Sequence, residues 1–356
     1  MSMSLETLIA QTLQKFGNEG EAWDSITNQH GLLYLFRKFG RKDGIGELTP
    51  NIASSYEEQG ALVLAEGGKW VSEIVNLIKN PNVGFLTDET NTSRQAFDPA
   101  REAIFPWAVA YGNAPVSDID VAKNRGNDVQ IIKLVNSIKS ATAASMIEVV
   151  GESMWNTSDP AMMQGIPLLI SDDGETTGSS AVGGLDTATY INWKNQFINV
   201  VAPVSTITSE QLFLATSKLL RMCTVGVSRP DILVASEDLY AAYELMQIEK
   251  KMLLVDVTKG QTTQEGVIKP VFTKFDANVF ILFDPGCPVN RVYAINTEWL
   301  KFNVLKEKNF SVEEAKRDPF APITNYPMTF VGTFSLRNRK AQGVLVFPVP
   351  QTQQGG

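Results

Sequence analysis

The sequence predicts an α+β chain, and three observations carry that expectation. Residues 127–156 hold helical spacing over their whole length without a proline. Strand-sized apolar runs such as 279–284 and 291–296 cluster in the second half instead of alternating strictly with helices. Residues 45–114 mix alternating pieces and turn clusters in a stretch too long for a loop inside a compact core, so it is expected to project outward.

In chain order, Leu5, Leu8, Ile9, Leu13 and Phe16 space a short amphipathic helix that Gly17 ends. An apolar run over 32–39 and a glycine-rich segment, 40–46, follow. Within 45–114 a helical patch is read around 70–78, and a single strand with an aromatic face over 103–111. The long helix starts at a cap, Asn127 or Asp128, with a stripe of Ile131, Val135, Ile138, Thr142, Ser145 and Val149. At 1.5 Å per residue it would run roughly 40 Å. Without heptads it is the backbone of a large α+β domain and not a coiled coil.

Beyond it, 165–170 reads as a strand and 171–184 as a polar, glycine-rich loop. Helices are expected at 209–225, with Ser209 as cap, and at 237–251, and a buried strand lies between them at 230–235. A loop at 260–266 precedes strands at 267–273, 279–284 and 291–296. The chain closes on a hairpin, 329–336 with 343–349 around a turn at 338–340, and a disordered tail at 351–356.

Composition removes much chemistry at once. Lys plus Arg number 31 against 39 Asp plus Glu, a formal charge of −8, so nothing draws the chain to a phosphate backbone except weakly and non-specifically. One histidine, His30, and two cysteines, Cys223 and Cys287, leave little for zinc sites or Cys/His nucleophiles. His30 and Cys223 read as structural, with Cys287 the more exposed thiol. The start shows no secretory pattern and no run approaches the roughly 20 apolar residues of a membrane span. No cofactor or metal is expected. The loop 174–184 lacks the lysine of a phosphate cradle, and Asp172, Asp173 and Glu175 miss calcium-loop spacing. A hydrolase using Asp172 or Asp173 is the alternative from a different class.

Charges and aromatics concentrate where the chain leaves its expected core: Arg37, Arg41 and Lys42 on one side, Arg101, Glu102, Phe105 and Trp107 on the other. A projecting arm exposes edges and apolar faces, which become an interface against a neighbouring subunit. These seven residues are the candidate inter-subunit contacts.

The order of segments resembles the major capsid proteins of tailed bacteriophages. The resemblance rests on Gly183-Gly-Leu-Asp-Thr-Ala-Thr-Tyr-Ile-Asn-Trp-Lys-Asn-Gln-Phe197, on Pro230-Asp-Ile-Leu-Val-Ala-Ser-Glu-Asp-Leu-Tyr-Ala-Ala-Tyr243, and on Val292-Tyr-Ala-Ile-Asn-Thr-Glu-Trp-Leu-Lys301. The closing Arg337-Asn-Arg-Lys-Ala-Gln-Gly-Val-Leu345 completes it, so the set spans about residues 20–348.

The resemblance implies the fold shared by tailed-phage and herpesvirus capsids. Residues 1–35 would be an N-terminal arm; 36–45, 116–159 and 300–350 a peripheral domain with the spine helix at about 127–156. Residues 46–115 would be an extended loop with an insertion, and 160–299 an axial domain with loop 255–268 near the centre of a hexamer or pentamer. Deleting about residues 46–110 is then expected to leave a folded core. The implied function is a non-enzymatic subunit that assembles into pentamers and hexamers of an icosahedral shell around double-stranded DNA. Its expected partners are itself, a separate scaffolding protein, a portal and a decoration protein; its expected place is the virion, after assembly in the host cytoplasm. An encapsulin-like nanocompartment shell is the alternative within the same fold.

Overall fold

The computed structural model describes residue 32 and residues 62–83, 96–123, 128–176, 181–249, 273–276 and 279–348. The expected arm apart from Leu32, which is buried in the main core, lies outside the described residues, as do Arg37, Arg41, Lys42, the loops at 255–268 and 260–266, and the tail 351–356; His30 is among the arm residues not described.

Four strands come first: β1 (Leu62–Ala65), β2 (Trp70–Asn76), β3 (Ala100–Pro106) and β4 (Ala108–Ser117). A short helix, α1 (Asp118–Lys123), leads into the long α2 (Asp128–Met154). Next come a one-turn helix α3 (Ile166–Leu169), β5 (Gln196–Asn199), α4 (Ser209–Met222), β6 (Ile232–Ala235) and α5 (Glu237–Glu249). The rest is strand-rich: β7 (Thr273–Asp276), β8 (Val279–Phe283), β9 (Arg291–Ile295), β10 (Leu300–Leu305), β11 (Ser311–Val312), β12 (Lys316–Arg317), β13 (Ile323–Leu336) and β14 (Gly343–Val346).

The long helix is where the spacing placed it, but its buried face is not the expected stripe. Val135, Met146, Ile147, Val150 and Met154 are buried, while Ser145 and Val149 are exposed. The read stripe keeps the 3.6-residue period of a straight helix from 131 to 149 but sits to one side of the buried face, meeting it at Val135. That face lies on β4, where a Cβ on Gly112 would stand 2.8 Å from the Met146 side chain, so glycine lets helix and sheet approach closely.

The first sheet is built on β13, which pairs antiparallel with β4, β10, β11 and β12; β1 adds parallel to β10. The second runs β5-β14-β9-β6-β8-β7. Its central strands β6, β9 and β14 are buried on both faces, and alternate residues feed different cores. Ile232, Val234, Tyr293, Ile295 and Val344 join the main core with α2 and the first sheet. Leu233, Ala235, Val292, Ala294 and Leu345 face α4 and α5 through Leu212, Leu219, Leu239 and Tyr243. This double burial explains why 230–235 reads as a continuous apolar run.

Several expectations are corrected. The patch at 70–78 is strand, not helix, because β2 turns Glu73 inward and so breaks the alternation that marks a strand. The strand 103–111 is two, divided at Trp107, and its second part belongs to the first sheet as β4. Residues 165–170 form the single turn of α3, with Pro167 in its first turn, since so short an apolar run does not separate helix from strand. Thr208, not Ser209, caps α4, in a capping box with Gln211. β13 and β14 form no hairpin: β14 lies between β5 and β9 in the second sheet, although 300–350 was expected wholly with the spine helix. Cys287 is buried, with Cys223, and burial pushes both thiols up, Cys223 to about 12. The segment 46–115 is not all loop, because β1 and β4 are strands of the first sheet and Val75, Leu77, Ala103 and Phe105 sit in the main core. Deleting 46–110 would take part of that core away.

Several charged side chains are buried in this scaffold, Lys139 among them. Lys139 on α2 is nearly covered, its Nζ 3.9 Å from the centroid of the Tyr326 ring on β13. Burial lowers its pKa from 10.5 to about 8. Above about 8 the folded chain releases a proton that the unfolded chain keeps to about 10.5, so stability rises with pH across that window. Lys139→Met is expected to stabilise the fold at neutral pH by about 1–2 kcal/mol, because the desolvated charge is gone. It should also flatten the alkaline rise, as denaturant unfolding at neutral pH and inside the window would show.

Candidate assembly surface

β2 and β3 form a two-stranded antiparallel ribbon, with Trp70 opposite Pro106 and Asn76 opposite Ala100. Side chains alternate across a ribbon, so its two faces differ. The inner face carries Val71, Glu73 and Val75 with Arg101, Ala103 and Phe105, and packs on the main core. The outer face carries Trp70, Ile74, Ile104 and Pro106, with Ile74 77% and Trp70 41% exposed. Lys69 Nζ stands 4.8 Å from the centre of the Trp70 ring. Apolar side chains also stand out on β4, at Val109 and Tyr111, and on the turn after β12, where Phe320 is 97% exposed.

The ribbon is held by the segment 181–195. Gly183 takes a φ of +61° that side chains disfavour, and a Cβ there would stand 2.7 Å from the Ala103 Cβ. Its carbonyl accepts from the Ile104 N–H at 3.0 Å. Tyr190 Oη accepts from Arg101 Nε at 3.1 Å, and Asn192 Nδ2 donates to the Leu77 carbonyl at 2.9 Å. Trp193, fully covered, donates from Nε1 to the Val182 carbonyl and fixes the turn from behind. From the other side Glu73 accepts from Arg337 Nε at 2.6 Å and Ser335 Oγ at 2.9 Å, both at the end of β13.

Beneath this segment lies Arg339, wholly buried. It donates to the Leu169 and Trp193 carbonyls, to Thr176 Oγ1 and to Ser171 Oγ, at 2.8–3.1 Å. Burial lowers its pKa to about 10, with Asp173 partly opposing, so the guanidinium stays charged at neutral pH. One side chain thereby ties α3, the loop after it and the 181–195 segment to the crossing between β13 and β14.

The candidate contacts fare differently. Phe105 is fully buried in its own chain, so it is removed from the outward surface. Glu102 is exposed on the outer face; Trp107 is half-buried and donates to the Gly68 carbonyl at 3.0 Å. Arg101 pairs with Asp98 at 2.8 Å on the ribbon's inner side. Sequence reading missed Trp70, Glu73 and Ile74, whose patch read as helix. Asp172, Asp173 and Glu175 do not converge on a reaction centre: Asp172 takes a bidentate bond from Arg291, Glu175 pairs with Lys194, and Asp173 accepts from the Glu175 N–H. Among the described residues no group of three His, Cys, Asp or Glu side chains could hold a metal ion, and no helix is long and apolar enough to cross a membrane.

No protein-family model matches the sequence, and no curated protein matches it. Solved structures do. The capsid asymmetric unit of cyanophage A-1(L) superposes with a TM-score of 0.56 at 10% identity, over 86% of this chain and 98% of that one. The capsid of the native GTA particle gives 0.51 at 10% identity, over 87% and 94%. The capsid of Myoviridae phage XM1 gives 0.50 at 13% identity, over 82% and 90%. At such identities the likeness is one of fold, and it runs nearly end to end in each of them. The chain has the fold of the tailed-phage capsid subunit.

Proposed function

We propose that the chain is a structural subunit that assembles with copies of itself into pentamers and hexamers of a closed icosahedral viral shell. The observation that carries this is the end-to-end match to a phage capsid subunit, 98% of whose length is covered. The surface supports it: a ribbon buried on one face offers a neighbour, on the other, Trp70, Ile74, Ile104 and Pro106 among the polar Ser72, Asn76 and Glu102. Val109, Tyr111 and Phe320 stand elsewhere on the surface, as a subunit meeting several neighbours through separate contacts requires. Such a role asks for no catalytic centre, consistent with carboxylates spent on surface ion pairs.

Double-stranded DNA is the proposed content, held without tight binding to a wall of net charge −8. A separate scaffolding protein, a portal and a decoration protein are proposed partners, and the assembled virion is the proposed location. Residues Arg37, Arg41, Lys42, Arg101, Glu102 and Trp107 are proposed at or beside the subunit contacts. The full chain, with its scaffolding protein where needed, is expected to form closed shells or penton and hexon rings, seen by electron microscopy and analytical ultracentrifugation. A chain that stays monomeric under all assembly conditions while turning over a substrate would overturn this reading.

A further inference from the structure

We propose that the turn at Val182–Gly184, with Glu73, Tyr190 and Asn192, is a seat that sets the angle at which the ribbon leaves the body, and through it the curvature at which subunits close. The inference rests on the shell reading above and adds which residues govern shell geometry.

The ribbon is held at points spread along its length, from Ile104 near one end to Leu77 beyond the other. It is gripped on β3 by the Gly183 carbonyl, beyond β2 by Asn192 on the Leu77 carbonyl, on its inner face by Tyr190 through Arg101, and on β2 by Arg337 and Ser335 through Glu73. These grips come from two parts of the fold. Glu73 is held by the end of β13 in the first sheet, whereas Gly183, Tyr190 and Asn192 belong to the segment that leads into β5 of the second. The ribbon's direction is therefore fixed relative to both sheets at once.

Position at the seat is also set finely. Gly183 is so close to Ala103 that a methyl group would have to displace β3. Each ribbon strand has seven residues, about 23 Å at ~3.3 Å per residue, so a shift at one grip tilts that whole length against the body. The outer apolar face then meets a neighbour at a changed angle, and curvature follows from that angle. Three of the four residues, Gly183, Tyr190 and Asn192, lie in the Gly183–Phe197 segment.

The test compares shells of the full-length chain with those of Glu73→Gln, Gly183→Ala, Asn192→Ala and Tyr190→Phe, the last losing only a hydroxyl. Each variant is first checked as unassembled subunit by circular dichroism and thermal unfolding. Particle diameters are then measured by electron microscopy. For variants that fold as the parent does, the expected result is a diameter distribution shifted or broadened from the parent peak, with open sheets or tubes among the products. Amide exchange in β2 and β3 should quicken in the same variants, while α4 and α5 stay protected. Folded variants, Tyr190→Phe included, that close into shells of the parent diameter would overturn the proposal. A parent chain that forms no shell would instead overturn the shell reading on which it stands.

Discussion

Arg339→Leu is expected to lower the unfolding free energy by about 3–5 kcal/mol. The guanidinium is wholly buried and is the donor to four oxygens: two backbone carbonyls, Leu169 and Trp193, and two hydroxyls, Thr176 and Ser171. Leucine fills part of the volume and removes every donor, so oxygens shut away from water lose their partner. Arg339→Lys should recover only a fraction, because an ammonium is a point donor and cannot span a planar fork aimed at separate groups. Denaturant unfolding of the unassembled subunit gives the difference as a shifted midpoint. A midpoint within error of the parent would mean that the segments around Arg339 hold together without it.

The long helix, α4, α5 and β6 are legible in the sequence because each keeps one period from end to end. α2 has no proline or competing pattern over 27 residues, and β6 is apolar at every position because both of its faces are covered. Boundaries and faces are less legible. The stripe on α2 lies to one side of the buried face because small residues such as Thr142 and Ser145 fit the helical period too, and only the sheet beneath selects Met146 and Val150. The ribbon was hidden by Glu73, a carboxylate pointing inward where the pattern demands an apolar residue. That inward charge is accommodated by Arg337, 264 positions away, which no local window can see.

The assembly surface follows the same logic. Aromatics near 105–107 marked the right neighbourhood, yet alternation alone does not say which face of a ribbon is buried, and Phe105 went inward. The Gly183–Phe197 and Arg337–Leu345 segments stood out as motifs while their purpose stayed hidden. Their partners are largely backbone carbonyls, at Leu77, Leu169, Val182 and Trp193, and a carbonyl carries no mark in a sequence. The same holds for β14: a turn at 338–340 suggests a hairpin, but pairing with β5 and β9 is decided by segments 147 and 52 residues away (343 − 196 and 343 − 291).

Ile74→Asp is expected to abolish shell formation while leaving the subunit folded. Ile74 is 77% exposed in the centre of the ribbon's outer face, with Glu102 opposite and Ile104 diagonal to it. Exposed positions of this kind change stability by no more than about 0.5 kcal/mol, so thermal unfolding of the subunit should match the parent. At a contact between copies the balance is different. The apolar area of isoleucine is lost, about 2 kcal/mol, and a carboxylate beside Glu102 must shed water without a cation to meet it. About 3 kcal/mol per contact is roughly a 100-fold weaker pair, and a closed shell repeats that contact once for every subunit. Ile74→Val, which keeps the apolar surface, should still assemble. Sedimentation of both variants at the concentration where the parent forms shells separates the cases. Shells from Ile74→Asp at that concentration would mean that the outer face of the ribbon is not a contact, and that closure rests on surfaces such as Tyr111 and Phe320.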